Sequence, residues 1–287
     1  ELFQVRDHID AQEKANDIVI LDTPRFDHFV LNYNSVDSAR FVSFPGMINN
    51  SDGTLISLNI ADLPDLLEPE MPGFLASLLA GRDRVWLWVD STPMGLRPLE
   101  RSLVAYYYPI REINTEPAHS WTRLIEFSTI SAPDPVTQPP PTIDTGLNFD
   151  DILALDGLTL PAGDTYTPGA ILPITLHWRS LTEINANYRV ALFLINADGA
   201  VAAQGQDSAI MQGLLPFTEW SPDITVLDNR ALRLPTDLPS GEYALWLRLY
   251  RFDRDGNIIT LPVNTGATVP NQPDTALLPA TISVTGR

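Results

Sequence analysis

The sequence predicts two bodies of different class. Residues 1–130 suggest an α/β domain with a mostly parallel sheet and Rossmann-like layering, and residues 147–287 an all-β sandwich of immunoglobulin-like or jelly-roll type. Three observations carry this reading. Helical and strand periodicities alternate in the first part. In the second the period falls to two, and turn pairs recur every ten residues or so: Asp156-Gly157, Pro168-Gly169, Asp198-Gly199, Ser240-Gly241 and Asp255-Gly256. Between them lies SAPDPVTQPPPTIDTG (131–146), with five prolines and no aromatic residue, which suits an extended connector.

Along the first part, Leu2, Val5 and Ile9 form an apolar stripe, and DIVIL (17–21) is a short buried-strand run. Phe41 to Phe44 is a weaker strand signal. Phe74, Leu75, Leu78 and Leu79 recur at helical spacing between Pro72 and Gly81. RVWLWV (84–89) is the strongest strand, and a helix follows with Leu96, Leu99, Leu103 and Tyr106 in register. Tyr107 to Ile113 and Trp121 to Phe127 close the pattern as strands. In the second part ILPITLHW, YRVALFLI, YALWLRLY and NIITLPV all read as strands. One phrase occurs twice there, VALFLINADGAVAAQ (190–204) and LWLRLYRFDRDGNIIT (245–260), each an apolar strand running into Asp-Gly and out again as a hairpin.

Composition narrows the chemistry. At 287 residues and 44% hydrophobic content there is material for two cores. Acidic residues number 36 against 18 basic, a formal charge of −18, and Lys14 is the one lysine. Such a surface repels phosphate backbones, so nucleic acid is not an expected partner. The absence of cysteine excludes disulfides, thiolate metal sites and a cysteine nucleophile. The longest apolar runs fall far short of the roughly 20 residues that cross a bilayer, so no span is expected within 1–287. The chain begins at Glu1 rather than methionine, and is expected to be a piece with targeting or membrane segments upstream.

Three groups of residues are candidates for function. Asp22 and Asp90 end the two strongest strands of the first part, with Arg25 and His28 close behind Asp22. A crevice at the carboxyl ends of those strands would gather carboxylates, a cation and an imidazole as an acid/base or substrate-orienting set. The competing reading is that each aspartate caps the next helix, and no glycine-rich phosphate loop or nucleophile elbow follows either strand. In YALWLRLYR, Tyr243, Leu245, Leu247 and Leu249 share one face and Trp246, Arg248 and Tyr250 the other. A core behind the leucines leaves the second face free to stack on sugar rings, or to pack beneath a loop. In FDRDGNI (252–258), Asp253, Asp255 and Asn257 alternate like calcium ligands. However, an EF-hand loop starting there would need glycine and glutamate where Ile258 and Asn264 stand, so a plain turn is the stronger reading. His8, His28, His119 and His177 fall in no metal-binding spacing. No cofactor is expected.

The first part resembles the soluble extracytoplasmic region that follows the last membrane spans in bacterial GT-C glycosyltransferases of the dolichyl-phosphate-mannose mannosyltransferase and ArnT type. The resemblance rests on KANDIVILDTP (14–24), the stretch through Tyr33, RFVSFPG (40–46), LLAGRDRVWLWVDS (78–91) and the strand near Arg123 to Phe127. The second part is similar to a β-sandwich appended to such proteins, through LPITLHWRSL (172–181), NYRVALFLINADGAVAAQGQD (187–207), LPFTEWSPD (215–223) and the run from Leu232 to Val263. It implies an extracytoplasmic location, a tether of upstream spans, and donor chemistry carried out there by carboxylates that nothing here matches. This chain would then support the active-site side, with the membrane-embedded part of the parent protein or an acceptor glycan as its partner. A secreted carbohydrate-binding protein and a hydrolase using Asp22 and Asp90 are the alternatives.

Overall fold

The computed structural model describes residues 9, 11, 16–21, 41–43, 47–49, 55–57, 71–90, 98–114, 122–184, 186–215, 220–222 and 224–286. The chain divides into two compact units, Glu1–Thr129 and Ile130–Arg287.

In the first unit the strands are β1 (Ile18–Leu21), β2 (Phe41–Ser43), β3 (Met47–Asn49), β4 (Leu55–Ser57), β5 (Arg84–Asp90), β6 (Tyr108–Asn114) and β7 (Thr122–Ser128). The helices are α1 (Met71–Leu79) and α2 (Pro98–Tyr106). The main sheet has the order β2-β1-β5-β7-β6, while β3 and β4 pair separately. β1 lies parallel to both β2 and β5, whereas β7 runs antiparallel to both β5 and β6.

The expected mostly parallel, Rossmann-like α/β layering is therefore corrected. Half of the pairings in this sheet are antiparallel, and among the described residues strand dominates, with two bounded α-helices of nine residues each. The reason is local. β6 and β7 are joined by a short connection, which cannot hold the helical crossover that parallel neighbours require, so they pair as a hairpin. β7 then fills the place beside β5 that the next parallel strand of a doubly wound sheet would take. The periodicity of α1 also differs in phase: Met71, Leu75 and Leu79 are buried, and Phe74 is exposed.

Val19, Leu21, Trp86, Trp88 and Leu124 pack with Ile9 on one face of this sheet. A chain of buried charge runs along the same face. Arg84 donates to both oxygens of Asp17 and to Glu126 Oε1 (3.2 Å), and Arg111 donates to Glu126 Oε2 (2.7 Å). The Arg84 and Arg111 guanidinium carbons lie 5.2 and 5.6 Å from the Trp86 ring centroid. Each buried carboxylate thus has a cation, as burial of charge requires.

The second unit contains no α-helix among its described residues. Its strands are β8 (Ile143–Phe149), β9 (Leu153–Thr159), β10 (Thr165–Tyr166), β11 (Ile171–Ser180), β12 (Arg189–Ile195), β13 (Val201–Gln204), β14 (Ser208–Ala209), β15 (Thr225–Arg233), β16 (Gly241–Phe252), β17 (Ile258–Thr260), β18 (Val263–Thr265), β19 (Thr268–Val269) and β20 (Gln272–Val284). One sheet runs β15-β11-β9-β8-β18. The other runs β10-β20-β16-β12-β13, with β14, β17 and β19 attached to it. These orders match neither the four-plus-three strands of an immunoglobulin constant domain nor the eight of a jelly roll.

Alternate residues of both sheets, among them Leu155, Ile174, Leu176, Trp178, Leu192, Leu194, Leu245, Leu247 and Leu278, meet in one core. Two prolines inside strands sit at gaps in the pairing. Pro173 lies where β11 pairs with β15 alone, and Pro279 falls in the bulge between Thr281 and Leu278 of β20. At the unit's edge the buried pair Asp228 and Arg230 (2.6 Å) ties β15 to β12 and β14. Arg230 also donates to the Val190, Ser208 and Ala209 carbonyls.

The proline-rich segment belongs to this unit, and β8 begins within it at Ile143. Gln138 Nε2 donates to the Thr225 carbonyl on β15, and Thr142 N–H to Thr159 Oγ1 on β9. Pro141 lies on Gly157, where a Cβ would fall 2.4 Å from Pro141 Cβ. Residues 138–142 therefore cross the outer side of β11, near His177 and Arg179, whose strand partners are Gly157 and Thr225. No helix among the described residues is long and apolar enough to cross a membrane.

Candidate functional site

β16 lies in the middle of its sheet, flanked by β12 and β20. Its burial alternates as a strand between core and solvent must: Tyr243, Leu245, Leu247 and Leu249 enter the core, while Ala244, Trp246 and Arg248 face outward and are half-buried. The register with β12, β13 and β20 sets a row across four strands, Gln204, Phe193, Trp246 and Leu277. Phe193, Trp246 and Leu277 are each half-buried and Gln204 is exposed. The next row is Ala191, Arg248 and Thr275. Two small side chains, Ala191 and Ala244, thus flank the aromatic row.

Arg248 is fixed from one side. Its Nε donates to Thr275 Oγ1 (3.1 Å), and its Nη2 donates to Thr275 Oγ1 (2.8 Å) and Gln272 Oε1 (3.2 Å). Asp274 lies 3.8 Å away, and about a third of the Arg248 side chain remains exposed.

Tyr250 departs from the sequence expectation. It shares the outward face, but it is buried, with its hydroxyl donating to Asp207 Oδ2 (3.0 Å) and its ring edge-on to Phe252 at 5.6 Å. Burial pushes its hydroxyl above the ordinary phenol value, and the Asp207 carboxylate adds to the rise. The other Asp207 oxygen takes Gln204 Nε2 (3.0 Å). Tyr250 therefore props the edge of the aromatic row and offers no ring face of its own.

Asp253, Asp255 and Asn257 form a turn. Asp253 accepts from the N–H groups of Asp255 and Asn257 and from Asn257 Nδ2, which holds its carboxyl below the usual carboxylate range. Asn196 does the same at the other copy of the phrase, accepting from the N–H groups of Asp198 and Ala200. In both copies only the glycine has positive φ, 81° at Gly199 and 83° at Gly256. The loop is thus a three-residue type with a left-handed glycine, rather than the two-residue turn that places Asp-Gly wholly at positive φ. Among the described residues no three His, Cys, Asp or Glu side chains gather as metal ligands.

Asp22, Arg25 and His28 lie outside the described residues. Asp90 closes β5 opposite Thr122. In a recess of about 360 Å³ near Asn196, Asp237, Leu238 and Tyr243, Asn196 is engaged in the turn and the Tyr243 hydroxyl donates to the Pro239 carbonyl (2.7 Å). Gln204, Phe193 and Leu277 are the members of the outward row that sequence reasoning missed. Phe193 was within reach, because it alternates with Leu192 and Leu194. Leu277 was not, because only the cross-strand register brings it beside Trp246.

No family model matches the chain, and no curated protein does. Solved structures give distant likenesses. The C-terminal domain of Wzt is 14% identical at TM-score 0.32, covering 53% of this chain and 84% of that one. A CARDB domain from Pyrococcus furiosus, solved with di-metal ions, is 11% identical at TM-score 0.26, covering 51% and 100%. A Niemann-Pick type C2 protein from the Japanese carpenter ant is 8% identical at TM-score 0.22, covering 51% and 98%. At such scores these likenesses carry no argument about fold or function, and no family is assigned.

Proposed function

We propose that the chain is a non-catalytic glycan-recognising region, serving a membrane glycosyltransferase on its extracytoplasmic side, with Trp246 at the centre of the binding face. The observation that carries the reading is the outward row of Phe193, Trp246 and Leu277 beside a guanidinium already fixed by Thr275 and Gln272. An indole face takes the C–H side of a sugar ring, and donors held in place at its border take hydroxyls at little entropic cost. The transferase setting rests on the resemblance of the two parts. A secreted carbohydrate-binding protein would use the same face, and the full reading frame separates the two, since membrane spans ahead of Glu1 belong to the first reading alone.

Calorimetric titration of the chain with a panel of polysaccharides tests the face. Trp246→Ala is expected to weaken binding by at least about tenfold, the worth of roughly 1.4 kcal/mol. Because Trp246 lies outside the core, the variant should still unfold cooperatively, with its midpoint lowered only by the loss of the cross-strand contacts to Phe193 and Leu277. Undiminished binding by Trp246→Ala would remove the assignment.

A further inference from the structure

We infer that this face takes an uncharged glycan running across the strands, about three pyranose rings long, and discriminates against uronates and other acidic polymers; the inference rests on the glycan reading above. Three observations set the class of ligand.

The first is the shape of the row. Gln204, Phe193, Trp246 and Leu277 occupy four adjacent strands, so the lane is roughly 14 Å long and perpendicular to them. Its two middle positions are aromatic and its ends are an amide and an aliphatic side chain. A linear sugar chain laid along it would stack successive rings on Phe193 and Trp246 and present one edge to the Arg248 row.

The second is the state of Arg248. Bidentate capture of a carboxylate needs two N–H groups on neighbouring guanidinium nitrogens. Nε and Nη2 are already spent on Thr275 and Gln272, which leaves Nη1 as the nitrogen with no protein partner among the described residues. A single nitrogen with two donors fits hydroxyl oxygens and forms no fork.

The third is the field around it. Asp274 stands 3.8 Å from Arg248, and Asp207, held by Gln204 and Tyr250, borders the other side of the row. The chain as a whole carries −18. An acidic polymer approaching the lane meets net repulsion, strongest at low ionic strength, whereas a neutral one is indifferent to it.

The test is titration of the whole chain with cello-, manno- and xylo-oligosaccharides of two to six units and with oligogalacturonates of the same lengths, at about 50 mM and about 500 mM NaCl. At least one neutral series should bind, with affinity rising to three or four units and then levelling, and with a Kd that changes less than about twofold between the salts. Oligogalacturonates should bind at least about tenfold more weakly at low salt. Arg248→Gln, which keeps a donor without the charge, should retain the preference for neutral sugars. Tighter binding of oligogalacturonate, weakening as salt rises, overturns the neutral class while leaving the face in place. Failure of every series, or binding that Trp246→Ala leaves unchanged, overturns the face and the inference together.

Discussion

Trp246 and Tyr250 stand four residues apart on one strand face, yet one side chain is half-buried and the other is buried against Asp207 and Phe252. Alternation decides which side of a sheet a residue takes, and that much was legible in YALWLRLYR. It does not decide what stands beside the residue, and Asp207 is 43 positions away in sequence. His177 makes the same point from the opposite sheet. Alternation turns it away from the side that takes Leu176 into the core, yet it is 1% exposed, sharing a hydrogen bond with Thr159 Oγ1 beneath the crossing of residues 138–142. Burial holds its pKa below the usual 6.5 against the pull of the Asp156 carboxylate. The unfolded chain therefore takes up this proton at higher pH than the folded one, so the stability is complete above pH 6.5 and declines as pH falls below it. Denaturant midpoints measured from pH 7.5 to pH 5.5 should fall in the wild type and fall less in His177→Gln. Equal slopes would mean that His177 is not the group responsible.

At the scale of elements, the twice-used hairpin phrase was plain in sequence because its signal is local: one side-chain acceptor, Asn196 or Asp253, and one glycine three residues on. The proline-rich segment was only half legible. Its composition announced extended chain, but residues 143–146 are already strand, and residues 138–142 lie on a sheet face. The cue that binds them there is Gly157, which sequence alone reads as the second half of an Asp-Gly turn. It is instead a strand residue, without Cβ because Pro141 and the Ile143 carbonyl oxygen occupy the space, the latter 2.5 Å from where a Cβ would sit. Gly157→Ala should force the segment away at a cost of about 1–3 kcal/mol, the usual scale of overpacking. Its unfolding midpoint should drop, and the Thr142 amide should exchange faster. An unchanged midpoint with unchanged exchange would show that the segment adapts freely and is not clamped at this point.

At the scale of the molecule, strands were easier to find in the sequence than their partners. RVWLWV and DIVIL read as strands from hydrophobicity alone. Whether β7 lies beside β5, and in which direction, depends on the chain between β6 and β7, and no periodicity reports that. The same limit applies to the boundary between units, where composition marks the prolines but not the unit they pack on. Since residues 134–142 bond to one another and to β9 and β15 of the second unit, a fragment of 130–287 should fold with its own core and unfold in one cooperative transition. A fragment of 143–287 keeps every strand of both sheets but loses the Gln138 and Thr142 hydrogen bonds and the Pro141 contact. At about 1 kcal/mol for each hydrogen bond, it should unfold at a clearly lower denaturant concentration, and in it the His177 imidazole should titrate closer to 6.5 because the crossing that shields it is gone. Equal midpoints for the two fragments would return the segment to the role of a mere connector, and a 130–287 fragment without a cooperative transition would show that the second unit does not stand alone.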